Sequence, residues 1–481
     1  MHTVLYTGGK ILTFCSQISC EAMAIRDGRI LFIGSLEKAY EVVGKNIEIR
    51  ELSGDVLMPS FLDAHSHFTA FAATLRLVPL GGCRSLKEIA HKLRDKCRET
   101  VSGKWVIGFG YDHTMLAEKR HPDRQFLDTI SISHPIMVSH VSGHMGGVNS
   151  RALDLLGICK ETVDPDGGKI GRGADGRPDG YLEERAFIQC SEKIPQPSLE
   201  EQLGLLKKAQ EIYFSYGITT IQDGKTGNAE FTLLKKAAER NMLSADVVAY
   251  ADMASCPELL HENPLYCSNY RDRLKLGGYK LFLDGSPQGK TAWMETPYRK
   301  GSDGYCGYPA MQDKELYGYL SRAVDERMQI MAHANGDAAC RQYIKEYQKT
   351  DYRKKDIRPV LIHAQLLRPD QLPAVRDLDM IPSFFTAHIY HWGDTHIENF
   401  GLPRAAQISP LASALKEKIP FTMHQDTPVI APNMFETIWC AVNRLTKKGV
   451  LLGKEERVDV HTAICAVTQN VAYQYHEEKE K

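Results

Sequence analysis

The sequence predicts an α/β fold, namely a (β/α)8 TIM barrel with a small N-terminal β-sandwich-like domain and a large insertion after the first barrel strand. Three observations support this prediction. Strand-like and helix-like segments alternate along most of the chain, several strand-like runs end in histidine or aspartate, and a length of 481 residues suits a barrel with an appended small domain. Strand–helix alternation is typical of a parallel sheet, whose strand ends meet at one face of a barrel.

The N-terminal segment, residues 1–58, is predicted to form short strands and turns. Asp27 and Gly28 stand between two apolar runs, which is a strong local signal for a β-hairpin. Residues 47–52 alternate between apolar and polar side chains, as a half-buried strand does. We therefore assign residues 1–58 to a small β-domain that precedes the barrel.

Two histidines mark the end of the first predicted barrel strand, residues 56–68. Positions i and i+2 of an extended strand point to the same side, so His65 and His67 can direct both imidazoles at one point. Alone, this pair is equally compatible with two histidines in a surface loop. Its interpretation as a metal-binding pair depends on the later strands.

Seven further strand-like segments complete a barrel of eight, and several end in a potential metal ligand. Lys280 falls on strand four, His333 on strand five, His363 on strand six and Asp426 on strand eight. Imidazole and carboxylate groups are the usual ligands of zinc or manganese. A lone histidine after a strand is often a capping or core residue, but four such ends converge if the sheet closes. The eight predicted strands are residues 56–68, 217–223, 245–250, 278–285, 329–337, 359–365, 380–388 and 419–428.

The barrel is predicted to occupy residues 59–476 and to contain an insertion at about 68–216, with a charged, solvated tail at 477–481. The insertion contains strand-like segments and a loop rich in glycine and aspartate. An insertion of this size at a barrel mouth usually forms a lid or a substrate pocket.

Composition and charge argue against several classes of partner. The chain has 43% hydrophobic and 25% charged residues and a net charge of −1, so it shows no excess of basic residues for binding nucleic acid or a membrane surface. No export signal and no apolar run of about 18 residues is found. Twelve cysteines without a C-x-x-C pair indicate reduced thiols. We expect a cytoplasmic protein with a small-molecule substrate; its oligomeric state stays open, a homodimer included.

Taken in order, these motifs resemble the amidohydrolase superfamily, specifically its YtcJ-like branch of metal-dependent hydrolases. The resemblance covers almost the whole chain and implies a barrel with two divalent metal ions, for which zinc is the expected identity. It implies that one ion is held by His65, His67 and Asp426 and the other by His333 and His363. The segments that carry the resemblance are residues 59–67, 142–153, 278–286, 333–338, 363–365 and 426–429.

The same resemblance implies that Lys280, carboxylated by CO2, bridges the two ions. A lysine beside two dications is repelled in its charged form, and burial also favours the neutral amine that adds CO2 to form a carbamate. The alternative is an interior lysine paired with a carboxylate. Asp426 is expected to accept a proton from the attacking water and deliver it to the leaving amine. We find no G-x-S-x-G motif that would support a serine hydrolase instead.

Four residues outside the ligand set are candidates for substrate binding. His144 and Asn149 lie on the insertion, where the alternative role is to stabilise a loop. His388 follows strand seven, and Trp392 lies four residues later, where an aromatic side chain more often packs than binds substrate.

The leading hypothesis is a binuclear hydrolase of a C–N bond in an amide, N-acyl or N-formyl compound. A mononuclear deaminase on the same barrel is one alternative, although it has no use for a bridging carbamate. A non-catalytic barrel scaffold is another, although all six ligand positions are filled. One departure from the family stands out. The C-terminal strands that normally complete the small β-domain are not found before Lys481. We therefore expect an exposed strand edge in that domain.

Overall fold

Two separated stretches of chain make up one folding unit, and the residues between them make up another. The computed structural model describes residues 2–14, 19–44, 47–140, 142–299 and 304–481. The barrel unit consists of Met1–Thr69 and Gln210–Lys481, and the insertion unit consists of Ala70–Ala209. The insertion unit lies inside the predicted range of 68–216. The helix Leu199–Ser215 spans the second boundary.

Eight parallel strands form the central sheet of the barrel unit, in the order in which they occur along the chain. Backbone hydrogen bonds from Asp426 N to His65 O (3.3 Å) and from His67 N to Thr427 O (2.8 Å) join the segments that follow the first and last strands. The mixed α/β fold is therefore consistent with a TIM-like barrel. Barrel strands 1 to 8 are Phe61–Leu62, Ile218–Thr226, Asp246–Asp252, Leu274–Phe282, Gln329–Ala334, Val360–His363, Ile381–Phe384 and Thr422–Met423.

Apolar side chains from the strands fill the barrel interior because the strands of a parallel sheet are buried on both faces. Val248, Met331, Val360 and Ile362 form one cluster, on which Tyr475 packs. Each fully buried side chain of this kind contributes about 1.5–3 kcal/mol relative to an exposed one.

Helices follow the strands through most of the barrel unit. Two of them are Leu199–Ser215 and Asp313–Asp325. The other helices are Asn228–Glu239, Leu259–Glu262, Asp337–Gln348, Leu372–Asp377, His388–Phe400, Leu402–Ala405, Leu411–Lys416, Met434–Asn443, Val460–Cys465 and Gln469–Gln474, with short 3-10 helices at Pro264–Tyr266 and Lys454–Glu456.

The N-terminal residues form two small sheets and one helix, Leu36–Val43. The hairpin turn at Asp27 and Gly28 has positive φ at both positions (50° and 81°), which glycine adopts at no steric cost. On the edge strand that follows this turn, Ile30 is 63% exposed. The strands of the two sheets are Thr3–Thr7, Ala22–Arg26, Arg29–Gly34 and Glu48–Glu51, and Lys10–Leu12, Ser19–Cys20 and Val56–Leu57.

The insertion unit is built on a six-stranded mixed sheet. Its strands, in spatial order, are Gly168–Arg172, Pro178–Glu184, Met145–Val148, Ile136–His140, Val106–Tyr111 and Val78–Pro79. Its helices are Leu86–Glu99, Arg124–Asp128, Ser150–Leu156 and Arg185–Glu192, and the helix Phe68–Thr74 precedes them.

The charged tail at 477–481, predicted to be a solvated end, is exposed at residues 478–481, but its first residue is buried. The Glu477 side chain is buried and its carboxylate accepts a hydrogen bond from Nζ of Lys275, which is itself buried. Lys481 Nζ donates to Thr220 Oγ1 (2.8 Å) and lies 2.9 Å from Asp246 Oδ2. Opposite charges at the start of the barrel strands hold this segment against the sheet.

The described cysteines are free thiols, as predicted, and Cys15 lies outside the described residues. Among the helices of the described ranges, none combines the length and the apolar run needed to cross a membrane.

Candidate metal centre

His65, His67 and Asp426 bring three potential ligand atoms within 4.8 Å of one another. Nε2 of His65 and Nε2 of His67 lie 3.5 Å and 3.3 Å from Oδ1 of Asp426. The two histidines do not lie in an extended strand, as the sequence argument assumed, because barrel strand 1 ends at Leu62. They occupy the turn that follows it, and their rings are 5.0 Å apart and nearly perpendicular. They face the same carboxylate even so.

Gln222, on barrel strand 2, determines which ring nitrogen of His65 carries the proton. Its Oε1 lies 2.6 Å from Nδ1 of His65, and its Nε2 donates to the carbonyl oxygen of Ala64 (2.7 Å), which orients the amide. An amide oxygen only accepts, so Nδ1 of His65 carries the proton and Nε2 keeps its lone pair. Burial, with Lys280 nearby, lowers the pKa of His65 well below its usual value, so the ring is neutral. A neutral imidazole with a free Nε2 is the form that binds a metal ion.

Asp426 lies between two groups of histidines. Its Oδ1 faces His65 and His67, whereas its Oδ2 lies 3.9 Å from Nε2 of His363. Oδ1 is buried and forms no hydrogen bond within the described residues. Asp426 also has a positive φ of 54°, an uncommon conformation for a residue other than glycine. A buried carboxylate oxygen without a hydrogen-bond partner among the described residues is an incomplete arrangement that a cation would complete.

A chain of imidazoles links the other two predicted ligands, His333 and His363. Nδ1 of His333 lies 3.1 Å from Nε2 of His363, and Nδ1 of His363 lies 3.1 Å from Nε2 of His424. His424 in turn contacts Ser383 Oγ through Nδ1 (2.9 Å). Nε2 of His333 lies 3.2 Å from the carbonyl oxygen of Gly285, which accepts, and 2.9 Å from Nδ2 of Asn335, which donates, so either ring nitrogen of His333 can carry the proton.

If His424 donates from Nδ1 to Ser383 and accepts at Nε2, then His363 donates from Nδ1 and its Nε2 carries no proton. Burial lowers the pKa of His333 to about 3, with Lys280 adding to the effect. It lowers the pKa values of His363 and His424 well below the usual range. All three rings are therefore neutral and can act as ligands or orient ligands.

Lys280 lies at the end of barrel strand 4 and is fully buried. Its Nζ is 3.2 Å from Nε2 of His65 and 4.9 Å from the centre of the Phe282 ring. Burial lowers the pKa of Lys280 to about 7; the nearby charge of Asp426 opposes that shift, and Lys225 adds to it. Within the described residues, Lys280 forms no close ion pair with a carboxylate. Near pH 7 the charged and neutral forms of the amine are therefore both populated, and the amine lies beside the ligand group.

Asp284 supports the loop after barrel strand 5. Its Oδ1 accepts from the backbone of Asn335 (2.9 Å), and its Oδ2 accepts from Gly336 (2.7 Å) and from Trp293 (3.0 Å). Burial raises the pKa of Asp284 to about 7 despite these bonds. The carboxylate holds the loop that follows His333.

His388 and Trp392, both predicted to contact substrate, lie on one helix with His396. The rings of His388 and Trp392 are 4.5 Å apart, and His388 stacks on His396 at 5.4 Å with an interplanar angle of 4°. His388 also packs edge-on against Phe385, which contacts His424. His388 is buried and Trp392 is partly exposed. The predicted contact of either residue with substrate stays a prediction.

The two candidates on the insertion have different environments. Asn149 is fully buried and caps the helix Ser150–Leu156, accepting from Ala152 N (3.0 Å) and Ile136 N (2.9 Å). Its Nδ2 donates to the carbonyl oxygens of Ser131 and His134, both at 2.8 Å. Every polar group of the Asn149 side chain is bonded within the insertion unit, which agrees with the alternative role of stabilising a loop, and its contact with substrate stays a prediction.

His144 differs from Asn149 because its side chain is 59% exposed. Among the described residues its side chain contacts Glu184, whose Oε2 lies 3.1 Å from Nδ1. Its predicted role in substrate binding stays a prediction.

Sequence reasoning did not identify Gln222 or His424 as part of the centre. His424 stands two residues before Asp426, so the pattern H-x-D repeats the spacing of His65 and His67 and was a usable signal. Gln222 carried no such signal, because a glutamine in a strand is ordinary and its partner lies 157 positions away in the chain.

Comparisons with known proteins show which family this chain matches. Residues 48–481 match a family model described as the amidohydrolase family. The chain is 26% identical to the putative amidohydrolase YtcJ of Bacillus subtilis (strain 168), over 99% of this chain and 91% of that protein. It is 23% identical to the N-substituted formamide deformylase of Arthrobacter pascens, over 98% and 89%. It is also 26% identical to the protein LONG AFTER FAR-RED 3 of Arabidopsis thaliana, over 92% and 78%.

A solved structure with a similar fold is that of an uncharacterized metal-dependent hydrolase from Pyrococcus furiosus. The two share a TM-score of 0.78 and 24% identity, over 99% of this chain and 95% of that one.

Proposed function

This chain belongs to the amidohydrolase family, and we propose that it is a metal-dependent hydrolase that cleaves a C–N bond of a small molecule. The proposed substrate class is amides, N-acyl compounds and N-formyl compounds. The observation that carries the proposal is the convergence of His65, His67 and Asp426 with Lys280 beside them at the carboxyl ends of the barrel strands.

The residues fit a metal centre by their own chemistry. The buried, unpartnered Oδ1 of Asp426 and the protonation of His65 imposed by Gln222 both favour a bound cation. His65, His67 and Asp426 would hold one ion, and His333 and His363 a second. When bound, a zinc ion would lower the pKa of a water ligand to about 7 and would polarise a carbonyl group.

Lys280 is the proposed bridge between the two ligand groups. The neutral amine attacks CO2, an N–C bond forms and one proton is released, which leaves a carbamate anion with two oxygen atoms. Its low pKa of about 7, caused mainly by burial, makes the free amine available. The carbamate adds negative charge to a site whose five histidine and aspartate ligands otherwise contribute a single charge.

Asp426 is the proposed carrier of the proton. Its two oxygen atoms face different histidine groups, so one can remain with His65 and His67 while the other reaches the reacting atoms. It takes a proton from the attacking water and gives it to the nitrogen of the leaving amine, which departs neutral.

Metal analysis together with a substrate screen tests the proposal. The full chain is purified without chelator, its metal content is measured, and it is assayed for amine release from N-substituted formamides, N-acyl amines and cyclic amides. The similarity to a formamide deformylase supports placing N-substituted formamides first. We expect about two metal equivalents and metal-dependent release of an amine that is lost with chelator and restored by zinc.

The same measurements separate the alternatives. One equivalent together with release of ammonia would indicate a mononuclear deaminase, and no bound metal would indicate a scaffold. The exposed carboxylate variant Asp351→Asn is a matched control for Asp426→Asn and should keep full activity. Amine release that is insensitive to chelator would contradict the proposal.

A further inference from the structure

A second cluster of potential metal ligands lies in the insertion unit and shares no residue with the centre described above. Asp112, His113 and His140 bring one ligand atom each within 4.8 Å of one another. His140 Nε2 lies 3.7 Å from Asp112 Oδ1. The ring of His113 is 5.3 Å from that of His140. Two imidazoles and a carboxylate form a ligand set that suits zinc and neighbouring transition metals.

The local backbone brings these residues together. His140 ends the strand Ile136–His140, and Asp112 and His113 directly follow the parallel neighbour Val106–Tyr111. The register between the two strands shifts between Phe109 and Tyr111, so that Tyr111 pairs with His140. Gly110, with φ of +93°, supplies the conformation that this bulge requires. The ligand atoms thus meet at the carboxyl ends of adjacent strands.

Two ring nitrogens in the cluster have no hydrogen-bond partner within the described residues. They are Nδ1 of His113 and Nε2 of His140, and both atoms are buried. His140 as a whole is only 9% exposed. Buried polar atoms in native proteins are nearly always satisfied, so two orphaned nitrogens beside one carboxylate point to a ligand.

Neighbouring groups orient the cluster. Asp112 Oδ1 accepts from the backbone and hydroxyl of Thr114 (2.9 and 2.7 Å), which lowers the pKa of Asp112 and keeps the carboxylate charged. The backbone N–H of Ser142 donates to Nδ1 of His140 (3.1 Å), and Ser142 Oγ lies 2.9 Å from the same nitrogen. Metal binding through Nε2 would place the ring proton on Nδ1, which would then donate to Ser142 Oγ in place of the contact with Ser142 N.

His121 packs against the same cluster. Its ring centre is 4.0 Å from that of His113, and its Nδ1 is 2.9 Å from the hydroxyl of Tyr111.

We propose that Asp112, His113 and His140 bind a divalent transition-metal ion of the zinc or cobalt type, at a structural site that joins the two strand ends of the insertion unit. The proposal does not depend on the metal centre of the barrel. It concerns binding alone and assigns no chemical step to the ion.

Cobalt titration of the full chain tests the site. A background variant with His65→Ala, His333→Ala and Asp426→Ala removes ligands from the barrel centre. We expect this variant still to bind one equivalent of Co2+ at the insertion site. Visible absorption of the histidine-bound ion and a rise in Tm would detect the binding. Adding His140→Gln should lower the Co2+ affinity at least tenfold and remove the rise in Tm.

His91→Gln is the matched control, because His91 lies in the same unit, is exposed and pairs with Asp95 at 3.1 Å. It should leave Co2+ binding unchanged. Absence of bound Co2+ in the background variant, or equal binding with His140→Gln, would overturn the proposal. If the background variant does not fold, the otherwise unmodified chain carrying His140→Gln is compared with that carrying His91→Gln. The proposal then requires that the His140→Gln chain contain one metal equivalent fewer than the His91→Gln chain. Equal metal contents in the two chains would reject it.

Discussion

Oε1 of Gln222 lies 2.6 Å from Nδ1 of His65, which fixes the proton on the side of the ring that faces away from Asp426. The amide cannot be reversed without loss of its donation to Ala64 O and to the hydroxyl of Tyr475. A glutamine on barrel strand 2 therefore determines which nitrogen of a histidine after barrel strand 1 is free to bind metal.

Replacing Gln222 with Leu should lower the metal affinity about 10–100-fold, the usual effect of losing a group that orients a metal ligand. The leucine removes the acceptor for Nδ1, so the proton is free to move to Nε2. Competition with a chromogenic chelator would measure the affinity. Gln222→Glu restores an acceptor at the same place and should recover most of it. Equal affinities for wild type and the Leu variant would show that Gln222 does not orient His65.

Replacing Lys280 with Ala should abolish hydrolysis and stoichiometric metal binding, because the negative charge between the two ligand groups is lost. Acetate or propionate should partly restore both by supplying a carboxylate in the space left by the side chain. Metal content and amine release are the measurements.

Lys275→Met is the matched control for Lys280→Ala, since Lys275 is a second buried lysine of barrel strand 4. The Lys275→Met variant should have a lower Tm, but the folded protein should bind as much metal as the wild type. A Lys280→Ala protein with two metals and full activity would reject the bridging carbamate.

Replacing Asp426 with Asn should retain much of the metal while lowering kcat on the order of 10²–10⁴-fold, which is the typical contribution of general acid–base catalysis. The amide has a similar shape and still offers an oxygen atom, but it cannot carry a proton. Steady-state kinetics on the best substrate of the screen would measure the loss. A decrease of less than about tenfold, small against that range, would assign proton transfer to another group.

Replacing His144 with Ala should raise KM or lower kcat/KM, while metal content stays at two equivalents. Ligands at the strand ends position the reacting bond, so discrimination between substrates falls to the loops. Because His144 is exposed, its loss should change the free energy of unfolding by no more than about 0.5 kcal/mol.

Asn149→Ala provides the contrast to His144→Ala. It should lower the free energy of unfolding by about 1–3 kcal/mol, because buried backbone groups lose their partners, with KM unaffected. Unchanged kinetics in the His144 variant would restrict that residue to its contact with Glu184.

Replacing Glu477 with Ala should destabilise the barrel unit by about 3–5 kcal/mol, because Lys275 would remain buried without its partner. Glu480→Ala is the control: Glu480 pairs with Arg29 at 3.0 Å on the surface, where such a pair contributes only about 0–1 kcal/mol. Urea unfolding of both variants gives the comparison. If Glu477→Ala and Glu480→Ala have equal free energies of unfolding, the contact between Glu477 and Lys275 does not stabilise the protein.

The order of the barrel strands could be predicted because the pattern of each strand is local. Apolar runs followed by His333, His363 or Asp426 are visible within ten residues, and parallel strands bring their carboxyl ends to one face. The hairpin at Asp27 and Gly28 is local in the same way. The sequence by itself therefore determined the fold class and the residue types that gather at the barrel mouth.

Only the tertiary structure decided how those groups are used. His65 takes its protonation from a glutamine 157 positions away, and Lys275 meets a glutamate 202 positions away. Asn149 has no polar group left for a substrate because four backbone groups use its side chain. Hydrogen bonds and burial depend on neighbours that folding brings together from distant parts of the chain, and no local pattern of residues specifies those neighbours.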